Sequence, residues 1–423
     1  MVNTDKRSYK WEVVLLLWVA FFLNQADRQT FNIVLPQIQQ YLGASDSTMG
    51  LLSTLFNVFY AITVPFAGYY ADRLSRSRQI WISVLIFSTA TLLTGFSGGL
   101  FSLILFRCFG MGVGQGMFGP TYTGIIASYH DPSTRARAMS VHQTSYYLGV
   151  ITCGFLAGWL AEKFGWKYAF FLFGGAGIIF TAILAVRLKD KSVQEVPAEA
   201  KPQAPSLFSA IAAFFKVPTA VCMLIAYCGL IFGLNGYLTW MPKYMKDTFD
   251  LSLSSAGFHS MFWTHAAAFV GVLVAGILSD RIAAGKGGKD RLLLQAAGLL
   301  LASPCIVLMG VSHSFILVCA ALAGFGFFRA FFDAGTYAVL YDVIDAKYYS
   351  LSSAILILFG FGIGAFAPWI LGIISDSFGL SGGIASLAGV WVIASLALIL
   401  ARFAFFEKDA EKLLQMNCST LIN

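Results

Sequence analysis

The chain has 423 residues, of which 58% are hydrophobic and only 12% are charged. Water-soluble domains carry about 25% charged residues, so that composition excludes an ordinary soluble fold. Continuous apolar runs such as WEVVLLLWVAFF (11–22) and IWISVLIFSTATLLTGF (80–96) are helical in kind, whereas a membrane barrel needs short alternating segments.

Taken in chain order, the runs predict twelve spans, at 12–35, 48–70, 79–97, 100–126, 138–161, 168–187, 217–242, 254–279, 291–311, 314–343, 350–374 and 382–405. The first lacks a small-residue cleavage site near its end and is expected to be retained. Its second half reads NQADRQTFNIVLP (24–36) and places Asn24, Arg28 and Asn32 four residues apart on one helical face, with Gln25 beside them and Asp27 one residue's rotation away. A fixed cation among amides suits a carboxylate or another anionic group. The plainer alternative pairs Arg28 with Asp27 or with a carboxylate elsewhere. Ionisable groups cost about 2.5–3.5 kcal/mol each at the centre of a membrane helix, which makes every one a functional candidate.

Span two ends in GYYADRLSRSR (68–78), and span eight ends in GILSDR (276–281). Gly68, Asp72 and Arg73 thus recur as Gly276, Asp280 and Arg281 at the same place in each half. That repetition predicts two parallel repeats, a six-span bundle at 1–187 and another at 217–423 with a tail. The polar, Pro-containing stretch 188–206 separates them, and the linker as a whole covers 188–216, with a short surface helix near 207–215. Asp72 and Asp280 are expected to tune gating, since contacts made in only one of two rocked states bias the equilibrium between them.

Span four carries Arg107 about one turn in, followed by GMGVGQG (110–116) with Gln115. Span five opens with His142, and span eight holds Trp263 and His265. Aromatic and amide groups of this kind line sugar-like sites, although a lone His is more often a packing group. Span seven closes on GYLTWMPKYM (236–245), an interfacial aromatic belt on the plain reading. In span ten, Arg329 and Asp333 lie four apart; they either neutralise each other along the helix or face the cavity as a second cation and a switchable carboxylate.

The net charge of +7 raises the question of nucleic acid, and the location of the charges answers it. With the N-terminus inside, Lys163, Lys167, Lys243 and Lys246 lie outside and most other basic residues lie inside. This positive-inside bias places both termini in the cytoplasm of an inner (plasma) membrane, multi-pass, with the lipid bilayer as partner and no nucleic acid. Six of the seven cysteines fall in apolar spans and Cys418 in the tail, without the paired spacing of a zinc or disulfide framework. No nucleophile or metal constellation is recognisable, so no enzyme activity, cofactor or metal site is expected.

These residues carry a family resemblance. GYYADRLSRSR resembles the loop motif of the major facilitator superfamily, with Ser75 where a Gly is usual; twelve spans, a long central loop and an Arg early in span four extend the likeness over essentially the whole chain. The resemblance implies an all-α membrane protein with two pseudo-symmetric six-helix bundles around a central cavity that opens alternately to each side. It also implies a role for Arg107 in coupling and bundle packing. Asp27-Arg28 in span one and Trp240-x-Pro242 in span seven look like the anion:cation symporter branch, importers of sugar acids and other organic anions. Asp27-Arg28 followed by VLPQIQQYLGASDSTMGLL (34–52) also looks like the spinster group, which handles lipid-like or amphiphilic solutes. Both branches usually carry a Glu where this chain has Gln115, which cannot carry a proton and leaves Asp27 or Asp333 as the H+ or Na+ site. The antiporter pattern Gly-Pro-x-x-Gly-Gly is missing from GVITCGFLAGW (149–159). The expectation is a monomeric importer of a small organic anion, a hexuronate-, aldonate- or sialate-like sugar acid. An amphiphile carrier or a non-transporting nutrient sensor is the alternative.

Overall fold

The computed structural model describes residues 4–71, 75–190, 207–286, 288–333 and 335–422. Among them the chain is helical nearly throughout, as it must be where no water is available to satisfy backbone groups. The first half runs α1 (Thr4–Leu42), α2 (Asp46–Ala71), α3 (Arg76–Gly95), α4 (Leu100–Tyr129), α5 (Pro132–Phe164) and α6 (Trp166–Arg187). A short α7 (Leu207–Phe215) precedes α8 (Pro218–Phe249), α9 (Leu253–Lys286), α10 (Arg291–Val311), α11 (Phe315–Asp333), α12 (Thr336–Val343), α13 (Tyr349–Gly364), α14 (Ala367–Leu400) and α15 (Phe406–Ile422).

Nine runs among the described residues are long and apolar enough to cross a membrane, and one of them, Leu351–Gln415, contains two crossings. The divide is Gly379, whose φ of 77° is a left-handed conformation that glycine adopts without strain. Gly165, φ 97°, makes the same turn between α5 and α6, and each glycine follows a Phe. The repeat read from the loop motif therefore recurs in backbone conformation at the fifth-to-sixth turn of each half. α1 and α3 complete the twelve; their polar residues keep them out of the purely apolar set. In the predicted tenth span the described residues give α11 as far as Asp333 and α12 from Thr336 onward, within the apolar run Phe315–Val343.

Helix starts follow local chemistry. Ser75 caps α3, its Oγ accepting from the Arg78 N–H at 3.1 Å, and Asp190 accepts from the Ser77 N–H at 2.7 Å. Ser75 therefore serves as a cap where the family usually has glycine. Asp72 and Arg73 lie outside the described residues, as do the surroundings of Gly68. In the second motif copy, a Cβ at Gly276 would have no neighbour within 4 Å among the described residues, and Asp280 reaches Arg291 at 3.8 Å while its side chain is exposed.

By contacts the chain divides into two compact units. The first comprises Met1–Gln194, Leu238–Phe262 and Pro368–Asp376, and the second comprises Glu195–Tyr237, Trp263–Ala367 and Ser377–Asn423. In the first, α1 packs on α5, α2 on α4, and α3 on both α4 and α6; in the second, α10 packs on α11. Small residues allow this approach, since lipid provides no hydrophobic drive between helices. A Cβ on Gly114 of α4 would stand 2.6 Å from the Phe87 backbone nitrogen of α3.

Adjacent glycines on α6 test this packing. A Cβ at Gly174 would meet Leu92 N at 2.5 Å and Ser88 O at 2.8 Å, both rigid backbone, whereas Gly175 faces open space. Gly174→Ala is expected to destabilise the protein by about 1–3 kcal/mol, the usual cost of overpacking. Gly175→Ala should be neutral when the two are compared by thermal unfolding in detergent.

Candidate functional site

The polar half of α1 forms the centre of the first unit. Asn24, Gln25, Asp27 and Asn32 are buried, and Arg28 is half-buried. The Arg28 Nη2 donates to Asn57 Oδ1 of α2 at 2.9 Å, and its guanidinium stands 5.3 Å from the Phe56 ring centre and 5.2 Å from that of Tyr60. No carboxylate lies within 4 Å of this guanidinium among the described residues, so the plain alternative of a protein ion pair for Arg28 has no support here.

Asp27 turns the other way. It is fully buried, and Oδ2 accepts from Thr91 Oγ1 of α3 at 3.1 Å while Oδ1 has no hydrogen-bond partner among the described residues. Arg107 lies within electrostatic reach of Asp27, yet the two do not form a direct ion pair. Arg107 sits in a π-helical stretch of α4, Ile104–Gly110, a widened turn of the kind that often marks functional sites. Its Nη2 donates to the Arg28 carbonyl at 3.4 Å, its plane lies 4.0 Å from the Phe56 ring centre, and Nε and Nη1 are unpartnered among the described residues.

Burying one such charge costs several kcal/mol. A cation–π contact returns about 0.5–2 kcal/mol and a charge-assisted hydrogen bond about 1.5–3 kcal/mol, so the site holds more charge than its internal contacts offset. Gln115 adds to the polar seam: Nε2 donates to the Asn24 carbonyl at 2.9 Å, and Oε1 is unpartnered among the described residues. Asn24 Oδ1 accepts from Gln25 Nε2 at 3.1 Å, and Asn32 Nδ2 donates to Gln29 Oε1 at 2.9 Å.

The structure thus brings Asn24, Gln25, Asp27, Arg28, Arg107 and Gln115 together. Sequence reasoning missed their partners Asn57, Phe56, Tyr60 and Thr91. Asn57 was findable as the amide in the otherwise apolar FNVFY (56–60), but nothing in the sequence says which residue of α1 it meets. His142 is placed differently, in an aromatic stack with Phe21 at 4.9 Å and Tyr122 at 4.3 Å, its Nε2 unpartnered among the described residues.

In the second unit Arg329 and Asp333 pair along α11 at 3.4 Å, with the Asp333 side chain 39% exposed. His265 is buried and Trp263 is partly exposed on α9. Nearby, Tyr237 donates to Thr264 Oγ1 at 2.8 Å, Thr264 donates to the Leu322 carbonyl at 3.2 Å, and Phe325 stacks on Trp391 at 4.9 Å.

The first unit also contains a cluster of polar contacts at helix ends away from the 68–78 loop, at which the proposed function places a latch. Asp376 of α14 accepts from the Asp46 and Ser47 N–H groups at 3.0 Å each, capping α2. Glu162 of α5 accepts from the Ser254 N–H at 2.9 Å and the Ser254 hydroxyl at 3.0 Å, capping α9. Each cap joins one sequence half to the other, and the two have corresponding positions in the repeat. Asp46 itself receives Lys243 Nζ at 2.7 Å, Gln39 Nε2 at 2.6 Å and Ser375 Oγ at 2.5 Å. Sequence reasoning placed Lys243 on the outer side, within an interfacial belt, and did not pair it with Asp46.

Comparison with known proteins follows the same lines. The description of the Major Facilitator Superfamily matches residues 17–325. The chain is 27% identical to the hexuronate transporter of Bacillus subtilis (strain 168) over 402 residues, 92% of this chain and 94% of that one. It is 25% identical to the D-galactonate transporter of Escherichia coli O6:H1 over 425 residues, 94% of this chain and 97% of that one. In three dimensions it is similar to a bacterial homologue of the human lysosomal transporter spinster, crystallised inward-facing and occupied. The TM-score is 0.80 at 20% identity, covering 95% of this chain and 98% of that chain. With the family match running through most of its length and its helices following the path of a solved transporter, the chain belongs to the major facilitator superfamily.

Proposed function

We propose that this protein is a secondary active transporter that imports a small organic anion, a sugar acid in class, by alternating access coupled to H+ or Na+. The observation that carries the reading is the Arg28 guanidinium, held in place by Asn57, Phe56 and Tyr60 and left without a carboxylate partner among the described residues. A positioned guanidinium of this kind binds a carboxylate through two parallel N–H···O bonds. The Asn24, Gln25 and Gln115 amides supply the hydrogen-bonding chemistry that sugar hydroxyls need. Relatives named for hexuronate, galactarate/D-glucarate and D-galactonate transport support the same solute class. The likeness to the spinster homologue supports the fold and adds nothing for an amphiphilic solute.

Asp27 is the coupling residue in this reading. A carboxylate sealed from water with one oxygen unpartnered is stabilised by a proton or a bare cation, and one residue away Arg28 takes the solute's negative charge. Arg107 senses both through the Arg28 carbonyl and its field on Asp27. The pair Arg329–Asp333 is a second candidate for solute contact and coupling. The positive-inside distribution supports cytoplasmic termini in the plasma membrane, and the reading takes a monomer as the working unit. The latch then closes the outer side, and its caps must break for the site to open outward.

Three results test this reading. Arg28→Ala, folded and inserted, should raise the KM for D-glucuronate or D-galactonate uptake in proteoliposomes about 10–100-fold, matching the loss of a charge-assisted bond of ~1.5–3 kcal/mol. An unchanged KM would remove Arg28 from the site. Asp27→Asn should exchange internal for external solute but fail to accumulate it against a gradient; accumulation at the wild-type level would assign coupling elsewhere. Removing both caps in Glu162→Ala/Asp376→Ala should favour the outward-open state about 5–30-fold, since each cap is worth about 1 kcal/mol. Cysteine accessibility from the outer side reads this directly, and an unshifted accessibility would show that the caps do not latch.

A further inference from the structure

A cavity of about 520 Å³ lies wholly within the second unit, bounded by α7, the end of α12 and the loop after it, and α15. Its walls divide into two kinds. Ala212, Val217, Val343, Ile344 and Leu413 make an apolar side. Lys216, Lys347, Lys412, Asp345 and Asp409 supply the charges.

The carboxylates are already engaged. Asp345 pairs with Lys347 at 2.9 Å and also accepts from the Lys347 N–H at 3.1 Å. Burial alone would raise the Asp345 carboxyl, but these Lys347 contacts outweigh it and hold the group below the usual carboxylate range. Asp409 accepts from the Thr219 N–H at 2.9 Å, capping α8. Outside the cavity but on the same helix, Glu407 pairs with Lys289 at 2.7 Å. Lys216 and Lys412, both exposed, have no carboxylate within 4 Å among the described residues, and with three lysines against two aspartates the lining keeps one net positive charge.

α7 adds an independent observation. Its Ala210 and Phe214 are fully buried, while Phe208 is 84% exposed and Phe215, which meets Phe359 edge-on at 5.9 Å, is 46% exposed. The helix ends three residues before α8 begins, at the boundary of a span. An exposed phenylalanine there suits a helix lying in the plane of the membrane interface. Phe208 and Phe215 are not in the cavity's own lining but on the same helix beside it; a soluble anion would use the lysines alone, whereas an amphiphile uses the lysines and the apolar wall and extends along the helix to these rings.

We infer that this cavity binds the headgroup of an anionic glycerophospholipid, with the phosphate taken by the Lys216 and Lys412 ammonium groups and an acyl chain running along Phe208 and Phe215. The bound lipid joins the linker helix to the tail helix. The site is separate from the polar seam of α1, so its occupancy does not depend on the transport reading.

Native mass spectrometry of the full-length protein in detergent, titrated with phosphatidylglycerol or phosphatidylcholine, tests this. The wild type should prefer phosphatidylglycerol by roughly 5-fold, the effect of one net positive charge near an anionic headgroup. Lys216→Gln/Lys412→Gln should bind the two lipids alike. Lys216→Arg/Lys412→Arg should keep the preference, as should a Lys163→Gln/Lys167→Gln control. Phe208→Ser should weaken retention of phosphatidylglycerol. An undiminished preference in the glutamine double variant would overturn the proposal. So would displacement of the lipid by an equal concentration of glycerol phosphate, which would assign the cations to a soluble anion.

Discussion

An ionised side chain carried into hydrocarbon costs about 2.5–3.5 kcal/mol on insertion scales, and α1 carries two in succession, with Arg107 of α4 close by. The chain separates them by geometry. A helix turns about 100° per residue, so Asp27 faces Thr91 on α3 while Arg28 faces Asn57 on α2. Because of that divergence neither group neutralises the other, and the local contacts leave polar atoms of Asp27 and Arg107 unsatisfied. Such a site is stable in company: an anionic solute beside Arg28 and a proton or metal cation at Asp27 reduce the burden together. On the proposed reading the two are taken up together because a proton or cation at Asp27 removes the repulsion its carboxylate exerts on an anion beside Arg28.

A carrier also needs helix contacts that can be made and released. The first unit holds two sorts. Within its bundle, glycines such as Gly114 and Gly174 bring backbones together so closely that a single methyl group does not fit, which makes these contacts rigid. At the remote helix ends, Asp376 and Glu162 each cap a helix from the other sequence half, and Lys243 with Ser375 and Gln39 neutralises Asp46. Carboxylate caps and a part-buried ion pair are worth about a kcal/mol or so each, and water replaces them readily when the ends part. Rigid glycine seams inside a bundle and exchangeable polar contacts at its end are what rocking requires.

Much of this was legible in the sequence because membrane insertion constrains it so strongly. Length and apolarity located the helices, the Gly-x-x-x-Asp-Arg pair located the repeat, and the scarcity of charge singled out Asp27, Arg28, Arg107, Arg329 and Asp333. The short helix before span seven was expected near 207–215 and occupies Leu207–Phe215. What stayed hidden depends on which faces of different helices meet. Asn57 and Thr91 are common residue types that acquire meaning only through Arg28 and Asp27. Asp376 and Glu162 sit at span ends, where acidic residues are ordinary, and their capping role needs partners more than ninety residues away. The π-helical turn at Arg107 alters hydrogen-bond register without leaving a distinct mark in composition.

The central claim is that an uncompensated guanidinium on α1 reads a negatively charged solute. Isothermal titration of purified wild-type protein with D-glucuronate and with D-glucose, which differ in the carboxylate at one carbon, tests it most directly. The account predicts saturable binding of the acid and none of the neutral sugar at the same concentrations, with the difference abolished in Arg28→Ala. Equal binding of the two sugars, or an acid preference that survives the loss of Arg28, would contradict it.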